Sequence, residues 1–393
     1  MLVRGELPPD PLAGELDQFI ERHRLAQRAI ELDRAPEFPR SEYEAMGAAG
    51  WLGLTTPSAL GGRGLSLPRA GALLYRLAYR SGTVFAKLAL QPEFSSVLRE
   101  RGTPQLVETW FRPLCQGRRL VSNQITEPTA GSDAQAIALE ASREGDGYLL
   151  TGAKSEVAFA EDAEAAIVYG RVPHDPSGGI TAFLVPQTWP GVERSRSATD
   201  LGERWQRRGT VRYTRVRVPA DHRLGEEGRG FHYVRPELTR ERALLAAIYL
   251  GVGRASWEEV VVHAGQRSVF GRPLSAQEGV AFPLVEDGAH LEATGLYVAR
   301  TLERLERGEE ADADAAVAKW MATDTALEAI DHAIQFHGGR GYSGELPHEQ
   351  RWRDVRSGGI AHGPSEIMHV VAARALWPRP PRSTAETPTT RDV

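Results

Sequence analysis

The sequence predicts an α+β multidomain protein with an N-terminal helical domain, a central antiparallel β domain and a C-terminal four-helix bundle. Three observations lead to this prediction. Apolar residues recur at helical spacing in the first third of the 393 residues, short runs rich in Val, Ile, Thr and Tyr follow from about residue 120, and long helical periodicity returns after residue 231. The predicted domains span residues 1–118, 119–228 and 229–378, and a tail rich in Pro and Thr over 379–393 is predicted to be disordered.

The N-terminal domain is predicted to begin with one helix over residues 12–35. Leu25 lies off its apolar face, which comprises Leu16, Phe19, Ile20, Ala26 and Ile30. A capping box is predicted where Ser41 is followed three residues later by Glu44. Residues 56–66 are typical of a loop, and helical spacing returns in residues 67–82 and 103–117.

The β domain contains two local signals. The Asp146-Gly147 pair, directly before an apolar run, predicts a hairpin turn. In residues 211–218, Val211 and Tyr213 share one parity whereas Val216 and Val218 share the other. Because alternate residues of a strand face opposite sides, this change of parity predicts a bulge or a partly solvated face.

The C-terminal domain is predicted to contain a long helix over residues 236–266, with Leu244, Leu245, Ile248 and Val252 on an apolar stripe. Gly251 and Gly253 would allow a neighbouring helix to approach closely. Further helices are predicted over residues 281–306, over 311–336 and after Ser365.

Composition excludes several functional classes. The formal net charge of -5 argues against a nucleic-acid-binding protein, although the Arg cluster at 351–356 could meet phosphates locally. Cys115 is the only cysteine, so the chain can form neither an intrachain disulfide nor a thiolate metal cluster. Its surroundings favour a Cys115 side chain that packs as a small hydrophobe over one that acts as a nucleophile. The sequence shows neither a signal-peptide pattern nor an apolar run long enough to span a membrane, so we expect a cytoplasmic protein.

Three segments carry candidate binding groups, and each also has a purely structural interpretation. The loop at 124–133 offers free backbone N–H groups and the Ser132 hydroxyl to a ligand, or is only a turn with capping residues. Arg267 could pair with a phosphate, or compensate a helix dipole. The glycines of residues 339–344 match a dinucleotide-binding pattern, but a predicted helix rather than a strand precedes them, which favours a tight turn.

Together with other motifs, these segments resemble the acyl-CoA dehydrogenase family. The resemblance covers residues 10–378 and rests on six motifs in the family's order: TEPTAGSD (126–133), TGAKSEVAFA (151–160), QRSVFG (266–271), QFHGGRGY (335–342), RDVR (353–356) and HGPSEI (362–367).

The resemblance implies an FAD enzyme that oxidises acyl thioesters. The flavin would lie between the β domain and the C-terminal helices, and its diphosphate end would reach a neighbouring subunit. The implied cofactor-binding residues are Thr126, Ser132 and Ala158 on the β domain, Arg267 and Phe270 at the adenosine diphosphate end, Gln335 and Gly339 from a second subunit, and Glu366 after the last turn. Ser132, Arg242 and His362 are implied substrate contacts.

The base that removes the α-proton is a Glu in most members of the family, but His362 occupies that position here. Other branches carry the base on the long helix, 26 residues before the Arg of the QRSVFG motif, and that count leads to Glu241. Glu241 is therefore the preferred base, although it could also be one of several charges near a helix N-terminus. His362 could itself be the base, fill space beside Pro364, or, as we prefer, hydrogen-bond a polar substrate group or Glu241.

Other departures affect the predicted activity. Glu156, Val157 and Ala158 replace the Trp-Ile-Thr cluster that covers the flavin, Glu278 stands where a Gln is expected, and Pro364 replaces a Thr. We therefore predict a dehydrogenase of acyl-CoA or acyl-carrier-protein thioesters in specialised metabolism, with electron-transfer flavoprotein as a possible partner and a homodimer or homotetramer as its assembly. An oxygen-using flavin monooxygenase or oxidase and a non-catalytic binding protein are the alternatives.

Overall fold

The structure is a computed structural model that describes residues 11–173, 179–197 and 199–377. The predicted disordered tail at 379–393 lies outside the described residues. No helix in the described ranges is both long enough and apolar enough to cross a membrane.

The N-terminal region is helical, as predicted. A π-helical turn, Val107–Phe111, joins the last two of its helices. The helices are Pro11–Arg22 (α1), Leu25–Arg34 (α2), Arg40–Ala48 (α3), Leu67–Ser81 (α4), Thr83–Ala89 (α5), Gln91–Phe94 (α6), Ser96–Arg101 (α7), Pro104–Leu106 (α8) and Arg112–Cys115 (α9).

Two predictions about the first helices are wrong. The single helix over 12–35 is broken at Arg24, which has a left-handed φ of 49°. This break changes the helical phase, so Leu25 is buried whereas Ala26 is exposed. The capping box is also absent, because α3 begins one residue earlier and the Ser41 hydroxyl donates to Glu42 instead of capping the helix.

The central region forms one eight-stranded sheet. The strands are Val121–Gln124 (β1), Glu140–Glu144 (β2), Gly147–Val157 (β3), Ala165–Arg171 (β4), Ile180–Pro186 (β5), Val192–Arg196 (β6), Gly209–Pro219 (β7) and Arg223–Leu224 (β8). They follow the order β6-β7-β3-β2-β4-β5-β8, and β1 pairs in parallel with β4, so the sheet is mixed rather than purely antiparallel.

Both local predictions for the sheet identify real features. A hairpin joins β2 to β3, but its two loop residues are Gly145 and Asp146, because Gly145 adopts the positive φ of 58° that the turn requires. The register between β3 and β7 shifts between residues 213 and 216, where Arg215 has a φ of 51°. This bulge allows Val211, Tyr213, Val216 and Val218 all to be buried.

The sheet is buried on both faces at β4 and β5. Ile167 and Tyr169 of β4 pack with the helical core, whereas Ala166 and Val168 pack with a second core enclosed by the other strands. This double burial explains why both strands are almost continuously apolar in the sequence. It also brings Tyr169 towards the long C-terminal helix.

The C-terminal region contains the predicted four long helices and one more short helix. The longest begins at Gly230, six residues before its predicted start, and continues through Pro236. Gly251 lets α4 approach it, since a Cβ at this position would lie 2.3 Å from the Tyr75 carbonyl oxygen. The helices are Gly230–Gln266 (α10), Glu278–Glu306 (α11), Asp312–His337 (α12), His348–Arg356 (α13) and Ser365–Leu376 (α14), and a two-stranded ribbon, Ser268–Val269 (β9) and Arg272–Pro273 (β10), follows α10.

Candidate active site

Glu241 is a buried carboxylate in the first half of α10. Its side chain is 3% exposed, and Oε1 accepts no hydrogen bond from any residue that the structure describes. Burial, reinforced by the nearby carboxylate of Glu237, raises the pKa of Glu241 well above its ordinary value. A carboxylate in this state has the basicity that proton abstraction from carbon requires.

His362 lies beside Glu241 in the loop between α13 and α14. Its Nε2 is 3.8 Å from Glu241 Oε2, which is too far for a direct hydrogen bond. The imidazole ring packs against Phe94, with 5.2 Å between ring centroids, and its Nδ1 has no partner among the described residues. Burial, followed by the charges of Lys319, Lys87 and Arg242, lowers the pKa of His362 to about 3, so the ring is neutral at pH 7.

Two cationic side chains hold the backbone around His362. Arg242 Nε donates to the His362 carbonyl oxygen at 3.1 Å. Lys319 Nζ, from α12, donates to the carbonyl oxygens of Ala361 and Gly363, each at 2.6 Å. The loop needs this support because both His362 and Gly363 have positive φ values, 55° and 91°. Arg242 therefore contributes to the site through the backbone of the His362 loop.

A second set of buried polar atoms lies close to Glu241 and was not predicted from the sequence. The Ser96 hydroxyl near Glu237 donates to the Glu93 carbonyl oxygen, so neither carboxylate oxygen of Glu237 accepts a hydrogen bond of normal geometry in the described ranges. Burial raises the pKa of Glu237 to about 7, although Ser96 acts in the opposite direction. The hydroxyl of Tyr169, on β4, also has no hydrogen-bond partner among the described residues. Burial, followed by the charges of Glu237 and Glu241, raises its pKa well above the ordinary value. The four-residue spacing on α10 could have identified Glu237, whereas Tyr169 stands in an apolar strand without any signal.

The loop after β1 presents the predicted β-domain contacts. The Ser155 amide donates to the Thr126 carbonyl oxygen at 3.0 Å, which fixes this loop beside β3 near the half-buried Ala158. Glu127 anchors the rest of the loop, because its carboxylate accepts from the amides of residues 138 and 139 and from the buried Lys154. Ser132 is exposed, so its hydroxyl remains available to a ligand.

The remaining predicted cofactor contacts form a separate surface at the far end of α10. Phe270 is 95% exposed, and Arg267, Gln335 and Gly339 are exposed as well. The ends of α10 and α12 meet here through the stacked rings of His263 and His337, whose centroids are 4.2 Å apart. The 26 residues between Glu241 and Arg267 span about 39 Å of helix, so this surface lies far from Glu241 of the same chain.

Glu156 and Glu366 are exposed carboxylates. Glu156 has a left-handed φ of 56° and forms an ion pair with Arg208 at 3.0 Å. Glu366 is in the first turn of α14, directly after the His362 loop.

Two other sequence features prove to be structural. Arg353 of the RDVR motif binds both carboxylate oxygens of Asp33, and Arg351 pairs with Glu259, so these two guanidinium groups hold helices together. Cys115 is buried, and burial raises its pKa to about 12, so this thiol packs as a small hydrophobe.

Comparison with known proteins identifies the family. The acyl-CoA dehydrogenase N-terminal, middle and C-terminal domain models match residues 12–118, 122–216 and 228–377. The chain belongs to the acyl-CoA dehydrogenase family. The benzylmalonyl-CoA dehydrogenase of Aromatoleum aromaticum is 32% identical to it, over 90% of this chain and 94% of the relative.

Solved structures of the acyl-CoA dehydrogenase family share the fold. Butyryl-CoA dehydrogenase from Megasphaera elsdenii superposes with a TM-score of 0.87 at 26% identity, and the superposition covers 94% of this chain and 99% of the butyryl-CoA dehydrogenase chain. The prolyl acyl carrier protein oxidase AnaB superposes with a TM-score of 0.84 at 28% identity and covers 92% of this chain and 99% of its own. The predicted order of helical, β and helical regions is thus confirmed.

Acyl-CoA dehydrogenases are FAD-dependent oxidoreductases, which confirms the predicted class of enzyme and its cofactor. The chain's own features fit FAD. A Cβ added at Gly131, Gly338 or Gly339 would meet no atom within 4 Å, so the backbone at these three places is open to a ligand. The exposed Phe270 ring and Arg267 guanidinium offer an apolar surface and a cation of the kinds that an adenosine diphosphate requires.

Proposed function

We propose that this protein dehydrogenates an acyl thioester, with Glu241 as the base that removes the α-proton. One observation carries this proposal. Glu241 is a buried carboxylate with an unpartnered oxygen, and its Oε2 lies 3.8 Å from Nε2 of His362, the residue that the motif resemblance aligns with the usual catalytic Glu. Two distant parts of the chain therefore offer one reaction centre, and the carboxylate reaches it from α10 instead of from the loop.

The chemistry removes two hydrogens from adjacent carbons. Bound FAD supplies the acceptor for the β-hydrogen, which leaves as a hydride. Glu241 takes the α-proton onto a carboxylate oxygen. Burial favours the uptake of this proton, because a desolvated carboxylate is more stable once it is neutral.

The contrast between the two pKa values supports Glu241 over His362. The raised pKa of Glu241 increases its affinity for a proton, whereas the pKa of His362, lowered to about 3, leaves the imidazole a poor acceptor. We therefore assign His362 a substrate contact through its unpartnered Nδ1. Arg242 and Lys319 position this contact by holding the backbone of residues 361–363.

Each cofactor site combines residues from two subunits in this proposal. Thr126, Ser132 and Ala158 of one subunit, with Glu366, would hold the flavin end. Arg267, Phe270, Gln335 and Gly339 of a second subunit would hold the adenosine diphosphate end. The helix length of about 39 Å between Glu241 and Arg267 supports this division, and the division implies at least a homodimer.

The substrate is proposed to be a specialised acyl group on CoA or a carrier protein. Both kinds of thioester have support among similar proteins, which include a benzylmalonyl-CoA dehydrogenase and a prolyl acyl carrier protein oxidase. Electron-transfer flavoprotein is the proposed acceptor of the electrons. The oxygen-using alternative predicts instead that the reduced enzyme reoxidises rapidly in air.

The test is anaerobic bleaching of the enzyme-bound FAD by a panel of acyl-CoA and acyl-carrier-protein thioesters. Glu241→Gln should retain FAD but bleach about 10²–10⁴-fold more slowly, which is the usual contribution of a general base. Glu303→Gln, which changes an exposed carboxylate on α11, is the matched control and should bleach normally. Normal bleaching by Glu241→Gln, with loss of bleaching in His362→Asn, would transfer the role of base to His362.

A further inference from the structure

Glu237 is a buried carboxylate that the proposed reaction does not use. It lies one helical turn before Glu241, on the same face of α10, and its side chain is 4% exposed. Side chains four residues apart on a helix are neighbours, with about 5–6 Å between their Cβ atoms. A substrate whose α-carbon contacts Glu241 therefore places its nearest substituents within reach of Glu237.

The cations around these two carboxylates are bound to other groups. Arg99 donates to Glu100 at 2.9 Å, and Arg240 lies 4.0 Å from the same carboxylate. Lys87 pairs with Glu203. Arg242 and Lys319 donate to backbone carbonyls around His362. Within the described part of the chain, none of these cations forms an ion pair with Glu237 or Glu241. At longer range, Arg99 and Arg240 oppose the rise in the pKa of Glu237, and Arg242 opposes that of Glu241.

Other polar atoms near Glu237 and Glu241 also lack partners. The Tyr169 hydroxyl is fully buried and accepts no hydrogen bond from the described residues, and Glu237 and Glu241 both influence it electrostatically. Glu93 contributes a further carboxylate, whose Oε1 accepts two hydrogen bonds from Thr55 but whose Oε2 accepts none among the described residues. Buried polar atoms are normally hydrogen-bonded, so a group of unpartnered ones beside a reaction centre points to a ligand.

We infer that the acyl group of the substrate carries a basic nitrogen on or next to its α-carbon, and that Glu237 and Tyr169 bind this nitrogen. An amine offers N–H donors to the carboxylate and the hydroxyl, and in its ammonium form it neutralises the uncompensated acid. A plain alkyl group would leave these oxygens buried and unpaired, which is costly. The inference rests on the proposed function, because it takes Glu241 as the group that contacts the α-carbon; the nitrogen itself takes no part in the redox step.

The experiment compares two pantetheine thioesters that differ in one ring atom. The prolyl thioester has the ring N–H, and the cyclopentanecarbonyl thioester has a methylene in its place. Anaerobic bleaching by the wild-type holoenzyme gives kcat/KM for each thioester. Titration of the flavin spectrum of Glu241→Gln gives the two dissociation constants without turnover. We expect the prolyl thioester to be favoured at least tenfold in both measurements.

Two variants test whether Glu237 is the source of this preference. Glu237→Leu should abolish the preference for the prolyl thioester and leave the cyclopentanecarbonyl thioester bound at least as tightly as in the parent. Glu237→Gln keeps the shape of the side chain and should lose most of the preference while retaining FAD and the fold. Tyr169→Phe should lose a smaller part of the preference.

The outcomes separate the inference from the function on which it rests. Equal or better binding of the cyclopentanecarbonyl thioester by Glu241→Gln, or an unchanged ratio in both Glu237 variants, would overturn the aminoacyl inference even if the flavin bleaches. Failure of every thioester to bleach the wild-type flavin would overturn the proposed function. A preserved binding preference in Glu241→Gln would then still support Glu237 as an amine-binding group.

Discussion

Replacing Glu237 with Gln should make the stability of the protein less dependent on pH. Burial raises the pKa of Glu237 from 4.5 to about 7, so the folded protein binds a proton that the unfolded chain has already released in this range. Stability contributed by the protonated group is therefore complete below pH 4.5 and is lost as pH rises through 7. Glutamine has the same shape and no titratable proton, so the variant lacks this loss.

The magnitude follows from the change in proton affinity. Each tenfold change in proton affinity corresponds to about 1.36 kcal/mol. The rise in the pKa of Glu237 from 4.5 to about 7 therefore lowers the free energy of unfolding by roughly 3 kcal/mol above pH 7. Most of this difference, about 2–3 kcal/mol, develops between pH 5 and pH 8. For a chain of 393 residues, the corresponding change in melting temperature is about 3 °C.

The assay is thermal unfolding of wild-type and Glu237→Gln holoenzymes at pH 5 and pH 8, with FAD in excess. The melting temperature of the variant, relative to that of the wild type, should rise by about 3 °C between the two pH values. Glu303→Gln removes an exposed carboxylate and should show no such change. A difference between variant and wild type that is the same at both pH values would refute the reasoning, because Glu237 would then titrate alike in the folded and unfolded chains.

Two further predictions concern the binding of FAD and the contacts between helices. Arg267→Ala should weaken FAD binding at least tenfold, because the guanidinium is exposed and offers a cation to the diphosphate. The melting temperature of the apoprotein should not fall, because no described residue accepts a hydrogen bond from this guanidinium. Equal FAD affinity in wild type and variant would contradict its role. Arg353→Lys should lower the free energy of unfolding, measured in urea, by about 2–3 kcal/mol. The guanidinium donates two hydrogen bonds to Asp33, at 2.8 and 2.6 Å, and a lysine cannot form both. An unchanged urea midpoint would show that the bidentate pair is dispensable.

Several features of the fold could be predicted from the sequence because they depend on local periodicity. The long apolar stripe of α10 and the parity change in β7 appear in the structure as a helix and a bulge. The errors arise where one residue changes the geometry. A left-handed Arg24 divides the first helix, and a left-handed Gly145 moves the hairpin turn by one residue, and neither conformation follows from hydrophobic spacing.

The candidate site could be predicted only in part from the sequence. Counting residues along α10 identified Glu241, and the motif at 362–367 identified His362, but the sequence contains no measure of the 3.8 Å between their side chains. Glu237 was visible as a charge four residues before Glu241, without any indication that it is buried and unpartnered. Tyr169 could not be found, because an aromatic residue in an apolar strand usually only packs.

The sequence by itself determined the family, the order of the three regions and the two positions at which a base could stand. These properties reside in motifs and in periodicity, which short stretches of chain specify independently. Only the tertiary structure decided which base the surroundings favour. Packing buries the Glu241 carboxylate almost completely and the His362 ring in part, and this raises the proton affinity of the carboxylate but lowers that of the imidazole. Burial and missing partners are properties of the assembled core, so no local pattern of residues encodes them.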